Sequence, residues 1–431
     1  MTDSTPPPPA VSSWMRLRIL GFLCVAAAIA YVHRAAISVP AGEIANDLRF
    51  SNLATGMGNV QSAFYLGYAL MQLPSGWLAD RLGSRRAMAL YCGCWSLFTL
   101  LTAFAYSERS LLILWGLMGV MQAGAFPSAA KAIGELFPDA SRARASGLLA
   151  CGMGIGGALA PALTGFVLWL MLPLAEEWSV FRWRLLLIVY AIPGFLWTAV
   201  FLFAVPARQL PVAPKRTTRA VRINWLRALR SVPLILLCAQ QFFRAAAMVF
   251  FLTWFPTFLQ QTRGVTLETS GLLTSMAGIG GVLGSLLGGF ASDWLLIRTG
   301  NARLSRQGIA VAGMSLCSLL MIASFFVADV RGSVALIAVG AFCATFGGVS
   351  GYTVAIAFGG RHVATVFATM NMCGNLGASA FPAAAGWLVA NTGNWNLLLF
   401  FFAGIMAVDA VCWAVLNPKG TLMGDEDDGT H

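Results

Sequence analysis

The chain has 431 residues, of which 58% are apolar or aromatic and only 10% are charged, and its mean hydropathy is +0.74. Soluble proteins average about 25% charged residues, so these values exclude a soluble enzyme, a disordered chain and a disulfide-rich secreted domain. The formal net charge of +11 would suggest nucleic acid as a partner of a soluble protein. In a chain this apolar it indicates basic cytoplasmic loops, so we expect a protein embedded in a lipid bilayer that binds no nucleic acid.

The two ends of the chain differ in composition from the rest. Residues 5–11 are rich in proline and precede any long apolar run, so residues 1–16 are predicted to form a disordered cytoplasmic tail. The first apolar run begins near Leu17 and is interpreted as an uncleaved span, not a cleaved signal. Residues 418–431 are predicted to form an acidic cytoplasmic tail.

Apolar runs separated by charged breaks predict an all-α membrane protein with twelve spans. The predicted spans are residues 17–39, 55–79, 87–106, 110–134, 145–171, 184–204, 233–259, 269–291, 307–328, 333–358, 363–390 and 396–416.

The longest polar connection covers residues 206–231 and contains basic residues but no acid. It divides the chain into an N-terminal six-helix bundle, 17–205, and a C-terminal six-helix bundle, 232–417. Lysine and arginine are much more frequent in the loops on the same side as this linker, which predicts that both termini are cytoplasmic. The short loops favour a bacterial inner membrane, and we expect the protein to function as a monomer.

A short motif repeats at corresponding positions of the two halves. Span two ends with Gly76 and Asp80, and span eight ends with Gly289 and Asp293, so both have Gly-x-x-x-Asp at the cytoplasmic end. Two parallel six-helix repeats are typical of a transporter whose halves rock about a site between them.

The loop after span two resembles the signature of the major facilitator superfamily. In the order Gly-x-x-x-Asp-Arg-x-Gly-x-Arg-Arg, its residues are Gly76, Asp80, Arg81, Gly83, Arg85 and Arg86. The resemblance implies twelve transmembrane helices in two pseudo-symmetric bundles. It also implies that this loop, with Asp293, forms a latch that holds the halves together in one state. The alternative is that these residues only anchor the loops on the cytoplasmic side.

A narrower resemblance is to the anion:cation symporter family, which includes uptake systems for sugar acids and other carboxylates and the vesicular glutamate and sialic acid transporters. Its motifs are similar to residues within 31–34, 62–77, 122–143 and 371–382. The resemblance implies import of a small organic anion by alternating access, coupled to a proton or to Na⁺. Three positions depart from the family pattern: His33 replaces an acid, Trp115 an arginine and Gln122 a glutamate.

Two arginines lie deep in predicted spans, where an ionisable side chain is a functional hypothesis by default because its burial is costly. Arg34 in span one is the stronger candidate, since its planar guanidinium can donate two parallel hydrogen bonds to a carboxylate. Arg244 lies in span seven, at about the position where the family resemblance implies a substrate-contacting arginine. We expect the two to face one cavity from opposite halves; the alternative is that each binds a backbone carbonyl or extends to an interface.

Polar side chains recur at helical spacing and predict the walls of that cavity. The candidates are Gln61, Tyr65, Tyr68 and Gln72 in span two, Gln122 in span four, and Asn371, Asn375 and Ser379 in span eleven. Tyr68 is the first choice for contact with a substrate hydroxyl. Lys131 is four residues before Glu135, and this spacing predicts an ordinary ion pair within one helix.

His33 and Asp409 are the candidates for coupling. The imidazole of His33 can change charge near neutral pH, and anion binding at Arg34 would favour its protonation. Asp409 is the acid well inside the second half, although span twelve is usually peripheral in this fold. Coupling to Na⁺ and uncoupled transport stay open.

Small residues predict where helices approach closely. Glycines in span five (Gly152, Gly156, Gly157 and Gly165) and in span eight (Gly280, Gly284 and Gly288) predict a sliding contact between the halves. The sequence contains no phosphate-binding loop, nucleophile motif or metal cluster, so neither an enzyme nor a cofactor is expected. A drug exporter of the same superfamily is the main alternative, but it predicts acids in the first-half cavity. A membrane sensor would need an added domain.

Overall fold

The computed structural model of the protein describes residues 12–207, 210, 231–359 and 363–416. Most of the predicted N-terminal tail, most of linker 206–231 and the predicted tail 418–431 lie outside these residues. The helices of the first half are α1 (Ser13–Ala35), α2 (Ala41–Asp47), α3 (Leu53–Leu82), α4 (Ser84–Thr102), α5 (Glu108–Gln122), α6 (Ala125–Leu136), α7 (Asp139–Leu170), α8 (Leu172–Trp178) and α9 (Arg182–Ala204).

The second half continues the helical pattern. Its helices are α10 (Val232–Thr253), α11 (Phe255–Arg263), α12 (Leu267–Thr299), a π-helical turn (Arg303–Gly308), α13 (Ile309–Phe325), α14 (Val330–Gly348), α15 (Ser350–Gly359), α16 (Val363–Thr392) and α17 (Leu397–Val415). Nine helical stretches within the described residues are long and apolar enough to cross a membrane. Helices α3, α4 and α16 coincide with three further predicted spans. The helices are thus compatible with twelve spans, and that number stays a prediction.

We call the side at which α1 begins and α17 ends the terminal side, and the opposite side the distal side. The halves meet along two helix pairs, α3 with α16 and α7 with α12. On the distal side Thr257 Oγ1 donates to the Ser38 carbonyl at 3.3 Å, and Gln260 Nε2 donates to the Val39 carbonyl at 3.0 Å. Among the described residues, cross-half hydrogen bonds extend toward the terminal side as far as Gln72. The molecule is therefore closed on its distal side.

Small residues allow this close contact between the halves. A Cβ added at Gly271 would lie 2.3 Å from the Pro161 carbonyl oxygen, and one at Gly278 would lie 2.7 Å from Ala158 Cα. The predicted meeting of spans five and eight is therefore correct, because α7 and α12 contain these residues.

The prediction was wrong about most of the glycines, however. Those at 280, 284 and 288 pack against carbonyl groups of α14 within their own half, and those at 152 and 156 pack against α1. Of the predicted set, Gly165 lies at the cross-half contact, where an added Cβ would lie 3.0 Å from the Glu268 carbonyl oxygen. Most of these glycines therefore serve packing inside a bundle.

Candidate functional site

A small cavity lies inside the first half, between α1 and α3–α7. Its polar lining consists of the side chains of Tyr31, Arg34, Tyr68 and Gln122, and the rest of the lining is aliphatic, aromatic or methionine side chains. Three of these four polar residues are predicted site residues. The arrangement is a small, mostly apolar chamber with one permanent positive charge.

The guanidinium of Arg34 is held by one neutral side chain. Its Nε and Nη2 donate to the same Gln122 oxygen at 3.1 and 2.8 Å. The Gln122 amide is itself fixed, since its Nε2 donates to the Ala30 carbonyl at 2.9 Å. This uses two of the five N–H groups of the guanidinium and fixes its plane without neutralising its charge.

Four aromatic rings surround the same guanidinium. Its central carbon lies 4.5 Å from the centroid of Tyr31, 4.9 Å from Tyr68, 5.2 Å from Phe64 and 5.8 Å from Tyr65. Ring faces attract a cation at these distances, so they stabilise the charge within the bundle. Tyr65 does not line the cavity, and its buried hydroxyl has no partner among the described residues.

His33 lies on the other side of α1 from this cavity. Its ring is 1% exposed, its Nδ1 is 3.3 Å from Thr99 Oγ1, and it stacks on Tyr190 with ring centroids 6.2 Å apart. His33 is not among the residues that line the cavity. Successive residues of a helix point about 100° apart, so neighbours in sequence face different surroundings. The structure therefore separates His33 from the Arg34 cavity.

Arg244 occupies a separate environment in the second half. Its Nη2 donates to Gln241 Oε1 at 2.6 Å, and its guanidinium lies 5.6 Å from the centroid of Tyr352. The glycine at 348 leaves room for the side chain, since an added Cβ would lie 3.0 Å from Arg244 Cδ. Arg244 does not line the Arg34 cavity. In this conformation the two arginines do not share the single cavity that was expected.

The predicted polar walls are divided between cavity and interface. Asn375 Nδ2 donates to Gln72 Oε1 of the other half at 3.1 Å and to the Asn371 carbonyl at 3.0 Å. Gln61 Nε2 also reaches across, to the Thr253 carbonyl at 3.3 Å. Tyr68 is the member of the α3 stripe that lines the cavity.

The signature loop makes its described contacts inside the first half. Gly83 has φ +78°, a left-handed conformation that favours glycine, and it joins α3 to α4 in a single residue. The carboxylate of Asp80 accepts a hydrogen bond from Lys131 Nζ at 2.8 Å. The predicted Lys131–Glu135 pair is therefore wrong: Lys131 extends toward α3, and Glu135 accepts instead from Ser84 Oγ at 2.6 Å.

The remaining latch residues are likewise held locally. Arg81 stacks on Trp77 at 3.9 Å, Arg85 donates to carbonyl groups at the end of α9, and Arg86 is exposed. In the second half, Asp293 accepts from Arg306 Nη2 at 3.0 Å. A latch that joins the halves on the terminal side stays a prediction for the opposite conformation.

Sequence reasoning missed a group of charges on the distal side, here called the distal ion cluster. Its residues are Glu43, Asp47, Arg182, Arg184 and Glu268. Arg182 Nη1 lies 3.1 Å from Glu268 Oε1, which is an ion pair between the halves. The Arg182 backbone N–H donates to Glu43 Oε1 at 2.8 Å, and Arg184 Nε donates to Asp47 Oδ2 at 2.8 Å. Charged residues of both signs near the ends of the predicted spans are the signal that could have found this cluster.

Comparisons with known proteins agree with this architecture. The profile of the Major Facilitator Superfamily matches residues 23–358. The chain is 28% identical to the "Probable sulfoacetate transporter SauU" of Cupriavidus necator, covering 94% of this chain and 95% of that protein. It is 27% identical to the "Probable galactarate/D-glucarate transporter GarP" of Escherichia coli K12, covering 92% and 94%. It is 28% identical to the hexuronate transporter of Bacillus subtilis, covering 92% and 93%.

Solved structures show the same fold. A bacterial homolog of the human lysosomal transporter Spinster superposes with a TM-score of 0.78 at 19% identity, covering 94% of this chain and 97% of the other. The nucleoside transporter NupG superposes with a TM-score of 0.72 at 13% identity, covering 92% and 99%. The family and these relatives are transporters, not enzymes.

Proposed function

The chain belongs to the Major Facilitator Superfamily, and from that premise we propose that it imports a small organic anion, a sugar acid or related carboxylate, by alternating access. The observation that carries the proposal is the fixed, uncompensated guanidinium of Arg34 in the first-half cavity. A permanent cation in an apolar chamber recruits an anion and disfavours a cationic drug, because opposite charge offsets the cost of burial.

The same residues support binding of a hydroxylated acid. Gln122 and the rings around Arg34 orient the guanidinium, whose remaining N–H groups can donate to a carboxylate or sulfonate. Tyr68 lines the cavity beside it and offers a hydroxyl that can donate or accept. The relatives above bear the names of sulfoacetate, galactarate/D-glucarate and hexuronate transporters. These acids define the class that we propose as substrate.

The proposed orientation follows from the basic loops. Both termini lie in the cytoplasm of a bacterial cell, the distal side faces outward, and the described conformation is therefore closed to the outside. Net import is driven by a proton gradient, with His33 and Asp409 as the coupling candidates. Movement of Arg34 and Arg244 toward one shared cavity belongs to the opposite half of the cycle, when the terminal-side ends of the halves approach.

The test is uptake by proteoliposomes that contain the purified protein. Labelled galactarate, D-glucarate, a hexuronate and sulfoacetate are offered, beside a neutral hexose and a cationic dye. We expect saturable uptake of at least one acid and none of the neutral or cationic compounds. Uptake of the dye with no uptake of any acid would reject the proposal in favour of the exporter alternative.

A further inference from the structure

Asp409 on α17 is a buried acid that the cavity chemistry does not use. Its side chain is 0% exposed, and neither carboxyl oxygen has a hydrogen-bond partner among the described residues. The other acids of the second half lie at helix ends or in the acidic tail, so Asp409 stands apart as a titratable group within a span. A polar group kept in such a place needs a reason other than packing.

The surroundings decide which form of the carboxyl group is present. An ionised carboxylate without hydrogen bonds in an apolar surrounding costs several kcal/mol, whereas the neutral acid costs much less. The carboxyl group of this conformation is therefore interpreted as the protonated acid. Ionisation requires a cation that can approach it.

Arg244 on α10 is that cation. Helices α10 and α13 both pack against α17, which carries Asp409. The titratable or charged groups near Asp409 on these helices are Arg244 of α10, Cys317 of α13 and Cys412 of α17 itself. Arg244 carries the permanent positive charge among them, and its Nε–H is buried without a partner among the described residues. One donor of the guanidinium thus remains available, while Nη2 binds Gln241.

We propose that Asp409 carries the transported proton and that Arg244 links its protonation to the anion, an inference that rests on the proposed anion transport. While Arg244 faces a bound anion, its charge is compensated and Asp409 keeps its proton. When the anion leaves, the uncompensated guanidinium favours the carboxylate, and the proton passes to water on the cytoplasmic side. One O–H bond forms on the outer side and one breaks on the inner side per cycle, so one proton accompanies each anion.

This assignment differs from coupling through His33 in a measurable way. Exchange of internal for external anion requires binding and rocking but no net loss of the proton. Accumulation driven by a pH gradient requires the proton to leave. A residue that only supports the fold would affect both, whereas a proton carrier affects accumulation alone.

The experiment compares both activities in proteoliposomes, with an acid found to be a substrate. With one proton per monovalent anion, a gradient of one pH unit should give about tenfold accumulation in the unmodified protein. Asp409→Asn should abolish accumulation and keep exchange within about threefold. Asp409→Glu should restore accumulation in part. Glu108→Gln, which removes a carboxyl group at the start of α5, should accumulate normally. His33→Gln separates the two coupling candidates, because coupling through His33 requires this variant to lose accumulation.

The inference is overturned if Asp409→Asn still accumulates the acid, or if folded Asp409→Asn loses exchange as well as accumulation. It is also overturned if His33→Gln loses accumulation while Asp409→Asn does not. If Asp409→Asn does not fold, net efflux decides. Net efflux through the unmodified protein should become faster as the pH of the solution that receives the acid rises, whereas exchange should not. Asp409→Glu should shift this pH dependence of efflux. An unshifted pH dependence in Asp409→Glu contradicts the assignment. Failure of the proposed function can be distinguished from failure of this assignment, because in that case the unmodified protein would exchange no acid at all.

Discussion

The arginines of the two halves lie in contrasting surroundings. Arg34 is fixed by two hydrogen bonds to a neutral amide and by aromatic rings, and it lines a cavity. The guanidinium of Arg244 is less completely hydrogen-bonded, since its Nε–H has no partner among the described residues. The charged group near it is the buried Asp409. A guanidinium held by neutral groups is suited to bind an anion, and one beside an acid is suited to exchange partners. The halves repeat in topology but are proposed to divide binding and coupling between them.

The largest effect should come from removing the first guanidinium. Arg34→Ala should lower acid uptake at least about 100-fold, because hydrogen bonds to a charged group contribute about 1.5–3 kcal/mol each. Arg34→Lys should recover little, since an ammonium lacks the planar fork. Radiolabel uptake normalised to folded protein measures both, with exposed Arg109→Ala as the matched control. Normal uptake by Arg34→Ala would remove the central argument for an anionic substrate.

Arg244→Ala should separate binding from transport. We expect it to abolish net uptake, while binding of the acid to purified protein weakens no more than about tenfold, because Arg244 does not line the cavity of the described conformation. Calorimetric titration of both alanine variants measures the contrast. Equal loss of binding in the two variants would mean that both arginines already hold the anion in the described conformation, which would contradict the separation seen there.

A change of the neutral partner tests whether Arg34 needs an uncompensated charge. Gln122→Glu places a carboxylate where the amide oxygen now accepts both N–H groups. The new ion pair competes with the substrate, so KM should rise about tenfold, equivalent to about 1.4 kcal/mol. Gln122→Met, which removes the amide without adding charge, is the control. An unchanged KM in Gln122→Glu would place the anion elsewhere.

The smallest effect should come from the pair that joins the halves. Glu268→Gln removes the ionic part of its contact with Arg182; the side chains are 34% and 22% exposed, so the loss should be about 0.5 kcal/mol. Distal opening should become about twofold more frequent, measured as labelling of Ser38→Cys from outside in a cysteine-free background. A much larger change would mean that closure of the halves, and with it the separation of the two arginines, depends on this one pair.

Patterns along the chain were sufficient for the architecture. Apolar runs predicted an all-helical membrane protein, and the repeated Gly-x-x-x-Asp motif indicated two related halves. Depth in the span made Arg34 a site candidate and helical spacing added Tyr68 and Gln122, and these three line one cavity. Each of these depends on spacing within a helix or on a motif within one loop. Such features are local, and they can be predicted without knowing which helices pack against each other.

The misplaced contacts depend on which helix faces which. Helical periodicity shows that Gly280, Gly284 and Gly288 share a face, but not that this face meets α14. Lys131 could reach Glu135 on its own helix or Asp80 on α3, and the packing of α6 against α3 brings it to Asp80. The pair between Arg182 and Glu268 joins residues from opposite halves, so no local pattern predicts it.

With the proposed orientation, Glu43 should make closure of the distal side dependent on the acidity outside the cell. Burial raises the pKa of its carboxyl group, and the Arg182 guanidinium offsets part of that rise. When the distal side opens, contact with water restores the ordinary pKa of Glu43. Closing therefore takes up protons at pH values between the pKa of the open conformation and the higher pKa of the closed one. An acidic exterior should therefore favour the closed carrier, and an alkaline one should release it. Labelling of Ser38→Cys, normalised to Arg109→Cys, should fall as external pH falls, and Glu43→Gln should abolish this response.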